Sequence, residues 1–153
     1  PGLGISGLEA IAYSCGDEDG NLPILCLADT RRGNAYAQFF AADMMPQGDI
    51  FEAHIEQLPL LVPSALGQET ILLAGNGRQA AAAAFIGAGR QVRLASGKMI
   101  SADAADQGVD DISVNAGMIA RLAAHHLARG KISPLTPLYL ADPRLGPKKK
   151  ASA

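Results

Sequence analysis

Short apolar runs separated by turn-forming residues dominate the first half of the chain. Residues 24–28 are continuously apolar, which predicts a strand buried on both faces. Residues 36–41 form a second strand-like run, and Gly33 and Asn34 between the two runs supply the turn chemistry of a β-hairpin. Apolar and polar residues alternate over 50–56, which predicts a third, half-exposed strand. The pattern therefore predicts an antiparallel meander.

The second half of the chain brings helical patterns between further strands. Residues 70–74 predict another buried strand, and residues 91–95 predict the next one. The alanine-rich segment 79–86 lies between them and predicts a helix, because alanine has the highest helix propensity. The longest predicted helix spans 113–129, with Gly130 as its terminator. This half is typical of parallel strands joined by helical crossovers.

Helix-end signals refine these boundaries. Ser6 is expected to cap a helix over about residues 7–14, and Glu9 stands at the capping-box spacing from it. Asp110 and Asp111 fall near the positive N-terminal end of the longest helix. The predicted buried stripe of that helix consists of Val114, Met118, Leu122 and Leu127.

Together these elements predict an α/β fold, a mixed sheet with an antiparallel meander and flanking helices. This order is the ribonuclease-H-like pattern. The 153 residues, 48% of them hydrophobic, suit one domain with a sizeable core. Residues 1–153 are therefore expected to form a single lobe.

Composition narrows the function classes. Thirteen Lys plus Arg against 15 Asp plus Glu give a formal net charge of −2, so a domain-wide basic surface for nucleic acid is not expected. Cys15 and Cys26 have neither metal-ligand spacing nor a disulfide framework, which indicates a cytoplasmic protein with reduced thiols. No apolar run approaches the roughly 18 residues of a membrane span. The start at Pro1, not at Met, predicts a fragment of a longer protein.

Three segments, in this order, resemble the TsaB (YeaZ) family of the sugar kinase, actin and heat-shock ATPase superfamily. Residues 1–8 resemble the connection between that family's two lobes, and residues 29–36 (Asp-Thr-Arg-Arg-Gly-Asn-Ala-Tyr) resemble its hairpin motif. Residues 137–140 (Pro-Leu-Tyr-Leu) resemble its C-terminal signature, and residues 75–77 match a Gly-x-Gly turn. Asn34 stands where the family usually has Glu, and Ala141 where it commonly has Arg, so the roles of those two family side chains are not carried over.

The resemblance implies the C-terminal ribonuclease-H-like lobe of a parent protein whose N-terminal lobe is absent. Such a parent is expected to be a non-catalytic scaffold or activator in tRNA threonylcarbamoyladenosine biosynthesis, supporting a TsaD-type transferase together with a TsaE-type ATPase. tRNA would be contacted indirectly, and a homodimer of the parent is left open. No cofactor is expected on this lobe alone, although ATP or ADP is compatible with the full complex.

The motif residues carry alternative interpretations. Asp29, Arg31, Tyr36 and Tyr139 match family motifs and are candidates for the inter-lobe cleft or a partner interface. The structural alternative is that Asp29 accepts N–H bonds within the turn, while Arg31 pairs with it or lies in water. Tyr36 would then be a half-buried strand aromatic.

Gly75, Asn76 and Gly77 form the other candidate site. A glycine-rich turn between a strand and a helix is compatible with a vestigial nucleotide loop, because helix N-termini attract anions. The three residues fall far short of a full phosphate-binding motif, so a tight structural turn is the alternative.

Direct chemistry is not expected from this chain. His125 and His126 are adjacent on a helix and point about 100° apart, so no metal site is predicted there. No nucleophile–base spacing or zinc signature is present, which argues against the glycoprotease-like peptidase activity once assigned to this superfamily branch. A nucleotide-binding kinase or ATPase lobe is the other alternative. Residues 148–150, three lysines, predict a solvated tail that could add salt-sensitive RNA affinity.

Overall fold

The computed structural model describes residues 3–16, 21–95 and 114–132. Its strands are β1 (Ile24–Asp29), β2 (Asn34–Phe40), β3 (Phe51–His54), β4 (Ile71–Gly75) and β5 (Val92–Leu94). Its α-helices are α1 (Gly7–Cys15), α2 (Arg78–Gly87) and α3 (Ala116–Ala128), and two short 3-10 helices span Ile55–Leu61 and Ser64–Leu66. Residues 137–140 and 148–150, together with Asp110 and Asp111, lie outside the described part of the chain.

The strands form one mixed sheet in the order β3-β2-β1-β4-β5. β1 pairs antiparallel with β2, and β2 pairs antiparallel with β3, so the predicted meander is confirmed. β4 runs parallel to β1, and β5 runs parallel to β4. α2 supplies the crossover between β4 and β5, as helices do between parallel strands. The α/β class with a mixed sheet and flanking helices is therefore established.

Helices cover both faces of the sheet, which explains the continuous apolar run of β1. Alternate residues of a strand point to opposite faces. Cys26 belongs to a hydrophobic cluster with Ile11 of α1 and Leu122 of α3. Leu27 belongs to the opposite cluster, with Phe85 of α2 and residues of the first 3-10 helix. The core thus lies in two layers, one on each side of the sheet.

The third strand ends earlier than predicted. β3 keeps the predicted alternation, with half-buried Phe51 and Ala53 between exposed neighbours. At Ile55 the backbone N–H donates to the carbonyl oxygen of Gly33 at the hairpin, 2.9 Å away, and the chain turns into a 3-10 helix. The last two residues of the predicted range, Ile55 and Glu56, therefore belong to this helix.

The predicted capping box at α1 is wrong. Ser6 is the N-cap residue and has an extended backbone, but its side chain makes no capping hydrogen bond. The Glu9 carboxylate does not return to the cap. It contacts His126 and Lys131, two cationic or ionisable side chains from the far end of the described chain. Contacts with side chains distant in sequence thus take the place of the local hydrogen bond at the cap.

The prediction for the longest helix needs two corrections. Asn115 is its N-cap and accepts a hydrogen bond from the Met118 backbone N–H at 3.0 Å, so the helix begins at Ala116 and not at residue 113. Gly130, with φ of +68°, follows the helix as predicted. Met118 and Leu122 are buried, whereas Leu127 is 62% exposed and His126 is buried in its place. Val114 lies before the helix and is also exposed.

Helical geometry explains the exchange of Leu127 for His126. Residues four apart stack on the same helix face, so the stripe that contains Met118 and Leu122 continues to position 126. Position 127 lies about 140° around the helix from Leu122 on a 100° per residue spacing, which turns it to solvent.

Among the described residues no helix is both long enough and apolar enough to cross a membrane.

Candidate functional site

The carboxyl ends of two parallel strands bring the hairpin motif and the glycine turn together. β1 ends at Asp29 and its parallel neighbour β4 ends at Gly75, so both ends lie at the same edge of the sheet. The Asn76 side-chain oxygen accepts a hydrogen bond from the Asp29 backbone N–H at 2.7 Å. We refer to Asp29, Arg31, Gly75, Asn76 and Gly77 as the carboxyl-edge cluster. Open α/β sheets commonly bind ligands outside this edge.

Asp29 organises the hairpin turn. One of its carboxylate oxygens accepts the Arg31 backbone N–H at 2.7 Å. Arg31 has φ of +60°, a left-handed conformation that is uncommon outside glycine and that this hydrogen bond helps to hold. The Arg31 side chain is exposed at the tip of the turn. The structure thus gives Asp29 the role of a turn acceptor and presents the Arg31 guanidinium to solvent.

Tyr36 lies on the other face of the sheet from Asp29. It pairs with Ala28 across β1 and β2, whereas Asp29 pairs with Ala35. Ala28 packs against the cluster beneath α1, and Ala35 belongs to the cluster beneath α2, so strand alternation separates the tyrosine from the aspartate. Tyr36 is half-buried, as expected of a strand aromatic. Tyr139, the fourth motif residue, lies outside the described residues.

The glycine turn has structural reasons for two of its three residues. Gly75 has φ of +94°, and a Cβ atom there would overlap the carbonyl oxygen of Leu27 on the neighbouring strand. Asn76 is fixed by its bond to Asp29. At Gly77, a Cβ would meet Leu27 at 3.4 Å, an ordinary contact. Glycine is therefore demanded at position 75 by strand packing, and position 77 carries no equal constraint.

Arg78 places a buried cation at this edge, which the sequence did not single out. It is the first residue of α2 and is 5% exposed, and its Nη1 donates to the Gly75 carbonyl oxygen at 3.1 Å. The guanidinium adds to the positive end of the helix dipole. The preceding N-cap, Gly77, has no side chain to cap the helix. Arg78 thus adds a positive charge at this edge of the sheet, and a contact within the chain holds its guanidinium.

A second concave site lies between α1, α3 and the loop after β2. It is a cavity of about 190 Å³ that we call the α1–α3 pocket. Its lining residues are Glu9, Tyr13, Asp43, Met44, Met45, Pro46, Leu122, His125, His126, Arg129 and Lys131. None of these residues was predicted as a site residue, although the histidines were considered as metal ligands.

An ionic triad forms one wall of this pocket. Glu9 Oε1 lies 3.1 Å from His126 Nε2 and 3.2 Å from Lys131 Nζ. The His126 side chain is 6% exposed, the Glu9 side chain 23% and the Lys131 side chain 52%, so the triad runs from the core to solvent. The other ring nitrogen of His126, Nδ1, is buried and has no hydrogen-bond partner among the described residues.

The two adjacent histidines contact different partners on α1, although their own rings also meet edge-on with centroids 6.3 Å apart. His125 is half-buried and stacks edge-on against the Tyr13 ring, with centroids 5.0 Å apart and planes at 73°. His126 turns instead toward Glu9. The described residues contain no group of three or more potential metal-ligating side chains. The histidines therefore tie α3 to α1 through two different contacts.

Comparison with known proteins adds a structural likeness. No protein-family model matches the chain, and no curated protein matches its sequence. Among solved structures, the fold resembles that of an uncharacterized protein with similarity to peptidase YeaZ from Pseudomonas aeruginosa, with a TM-score of 0.54 and 16% sequence identity. The superposition covers 90% of this chain and 57% of that structure, so this chain spans little more than half of its neighbour. This comparison shows a similarity of fold alone.

Proposed function

We propose that this chain is the C-terminal lobe of a TsaB-type protein, a non-catalytic scaffold of the tRNA threonylcarbamoyladenosine machinery in the cytoplasm. The observation that carries the proposal is the hairpin motif of residues 29–36, placed in a mixed sheet that resembles a solved YeaZ-like structure. The 57% coverage of that structure favours one lobe of a longer parent. On this proposal the lobe has a ribonuclease-H-like fold and works through its parent.

The geometry of the carboxyl-edge cluster favours a scaffold over a catalyst. An Asp29 carboxylate oxygen accepts a hydrogen bond within the turn, and the Asn76 side-chain oxygen accepts one from the Asp29 backbone N–H. Gly75 is committed to close packing against Leu27. Polar groups that already have partners within the chain are less available for catalysis. They hold this edge of the sheet in a fixed conformation, as a docking surface requires. Arg31 remains exposed at the tip, where a partner carboxylate could pair with it in a bidentate manner.

In this proposal the partners follow from the family resemblance. A TsaD-type transferase would pair with the full-length parent, and a TsaE-type ATPase would join that assembly. Contact with tRNA would be indirect, in keeping with a formal net charge of −2. ATP or ADP would be held by the full complex and not by this lobe alone, and a homodimer of the parent is a further open arrangement.

Co-elution tests the scaffold proposal directly. The full-length protein that contains this chain is mixed at micromolar concentration with a TsaD-type protein and run on a size-exclusion column. We expect one peak at the mass of a complex, and loss of tRNA modification in reconstituted reactions that omit this protein. Two separate peaks, together with full modification in its absence, would overturn the proposal.

A matched pair of arginine variants tests the hairpin tip. Arg31→Glu reverses the charge at the tip, and Arg121→Glu makes the same change at an exposed position of α3. If the tip faces the inter-lobe cleft or a partner, only Arg31→Glu should weaken the complex or slow modification. Equal behaviour of the two variants would assign Asp29 and Arg31 to the turn alone.

Peptidase activity is the second candidate, favoured by the description of the solved neighbour as similar to a peptidase. In this chain the Ser14 hydroxyl donates to the Ala10 carbonyl oxygen at 3.0 Å within α1, which engages that hydroxyl with the helix backbone. Incubating the purified protein with a glycoprotein, with and without zinc, decides between the two functions. Cleavage that scales with the amount of protein would establish the peptidase and displace the scaffold.

Nucleotide binding by the parent is tested separately by calorimetry. If Gly75, Asn76 and Gly77 retain a vestigial nucleotide loop, ATP or ADP titrated into the full-length protein should release or absorb heat, and the 153-residue chain alone should give none. Heat from the short chain would contradict the expectation that this lobe binds no cofactor by itself.

A further inference from the structure

The α1–α3 pocket lies at the edge of the sheet opposite to the carboxyl-edge cluster. Its loop follows β2, whose last residue Phe40 pairs with Ile24 at the start of β1. Asp29, at the other end of β1, belongs to the carboxyl-edge cluster. The pocket is therefore separate from the carboxyl-edge cluster, and what it binds can be tested independently of the proposed scaffold role.

One side of the pocket is apolar and adaptable. Tyr13 and Leu122 line it from α1 and α3, while Met44, Met45 and Pro46 line it from the loop. Unbranched methionine side chains fill irregular spaces and adjust to different ligand shapes. Met45 is 59% exposed although it is apolar, so its side chain can contact a bound molecule without any rearrangement of the core.

The loop that carries these methionines is held in a strained conformation. Met44 has φ of +66°, which costs an L-residue roughly 1–2 kcal/mol. Two backbone hydrogen bonds to Ala41 keep it there: the Met44 N–H donates to the Ala41 carbonyl at 2.9 Å, and the Ala41 N–H donates to the Met45 carbonyl at 2.8 Å. The strain presents successive methionines at the rim of the cavity.

The charged groups of the pocket are unequally satisfied. Both acids have partners, since Glu9 is paired with His126 and Lys131, and an Asp43 carboxylate oxygen accepts the Met45 backbone N–H at 3.0 Å. Arg129 is exposed at the same rim, and residues 3–16, 21–95 and 114–132 provide no acceptor for its guanidinium. Among the described charged side chains that line the pocket, Arg129 is therefore the one without a contact to another group.

We propose that the α1–α3 pocket binds a small organic carboxylate with an apolar body. A cavity of about 190 Å³ is slightly larger than the roughly 150 Å³ cavity known to hold benzene, so the body matches one aromatic ring or a short aliphatic chain. The body lies against Tyr13, Leu122 and the methionines. The carboxylate faces Arg129, whose planar guanidinium can donate two parallel hydrogen bonds to it.

Benzoate is the probe, and the 153-residue protein is used as it stands. Binding is followed by the shifts of backbone amide signals in two-dimensional nuclear magnetic resonance spectra during titration. We expect saturable shifts confined to α1, α3 and residues 43–46, with a Kd of roughly 1 mM for so small a ligand. Benzyl alcohol, which has the ring without the charge, should bind at least about 10-fold more weakly because it loses the charge-assisted hydrogen bonds.

Variants on the rim separate the proposed site from general anion binding. Arg129→Gln should weaken benzoate at least about 10-fold, because it removes the only cation assigned to the carboxylate. Arg121→Gln, which changes an exposed arginine of α3 outside the pocket, should leave the Kd unchanged. Met45→Glu, at an exposed position, should also abolish binding by placing a like charge beside the ligand.

Three results would overturn the assignment. One is benzoate shifts that map away from the pocket. Another is equal weakening by Arg129→Gln and Arg121→Gln. The third is inorganic phosphate competing with benzoate at equal concentration, which would reduce the site to nonspecific ion pairing.

Discussion

The close approach of Gly75 to the neighbouring strand makes Gly75→Ala a sharp test of the fold. Gly75 ends β4 with φ of +94°, and a new Cβ would overlap the carbonyl oxygen of Leu27 in the adjacent parallel strand. The overlapping atom belongs to the backbone of Leu27, a fully buried residue, so no flexible side chain can move aside. β1 and β4 must separate at their carboxyl ends.

The magnitude follows from two contributions. A left-handed conformation costs a residue with a Cβ roughly 1–2 kcal/mol. Breaking a buried backbone hydrogen bond and leaving its partner unsatisfied costs about a further 1–3 kcal/mol. We therefore expect Gly75→Ala to lower the free energy of unfolding by about 3 kcal/mol or more.

Two other glycines serve as matched controls. Gly89 also has a positive φ, +74°, but a Cβ there meets nothing within 4 Å, so Gly89→Ala should cost about 1–2 kcal/mol from conformation alone. Gly87, at the end of α2, is open and has no positive φ, so Gly87→Ala should be neutral or stabilising by up to about 1 kcal/mol.

Urea unfolding of the three variants provides the assay. For small proteins the slope m is about 1–3 kcal/mol per molar urea, so a difference of about 2 kcal/mol between Gly75→Ala and Gly89→Ala separates their midpoints by roughly 1 M. Equal midpoints for these two variants would refute the view that strand packing demands glycine at position 75. An unchanged midpoint combined with lost nucleotide binding by the parent would favour the nucleotide loop instead.

Three further predictions concern the core, the triad and the thiol. Phe85→Ala should lower the free energy of unfolding, measured in urea, by about 3–5 kcal/mol, because Phe85 is fully buried. Ile86→Ala should change it by no more than about 0.5 kcal/mol, because Ile86 is 66% exposed. Similar losses for the two variants would contradict the assigned buried face of α2. Glu9→Ala should cost about 1–3 kcal/mol by leaving the buried His126 imidazole without its partner, and thermal melting that is unchanged would rule out a stabilising triad. Burial raises the pKa of the Cys26 thiol, so the folded protein holds this proton while the unfolded chain releases it above about pH 8.5. The stability due to this neutral thiol is therefore present below that pH and falls above it. The difference in unfolding free energy between the wild type and Cys26→Ala should shrink as the pH rises from about 8.5 to about 10. A constant difference would contradict the raised pKa.

The sequence by itself determined the order of the described strands and α-helices, but not the two 3-10 helices between β3 and β4. The apolar run in β1 reflects burial of both strand faces, and the alternation in β3 reflects burial of one face. Both patterns can be read from consecutive residues of the sequence. Gly130 ended α3 where predicted, because a left-handed terminator is a local requirement. Asp29 and Arg31 were identified as candidates from a motif that resembles the TsaB family, and Gly75 from a Gly-x-Gly turn between a strand and a helix.

Only the tertiary structure decided which of these residues meet. Asn76 bonds to Asp29 across 47 positions, and Lys131 reaches Glu9 across 122. Hydrophobic periodicity states which face of an element is buried, but not which element lies opposite, and the free energy of a polar contact depends on that neighbour. Glu9 was therefore expected at a helix cap and was found in an ionic triad. His126 replaced Leu127 in the buried stripe because helical phase placed it inside, where a distant carboxylate pairs with its Nε2.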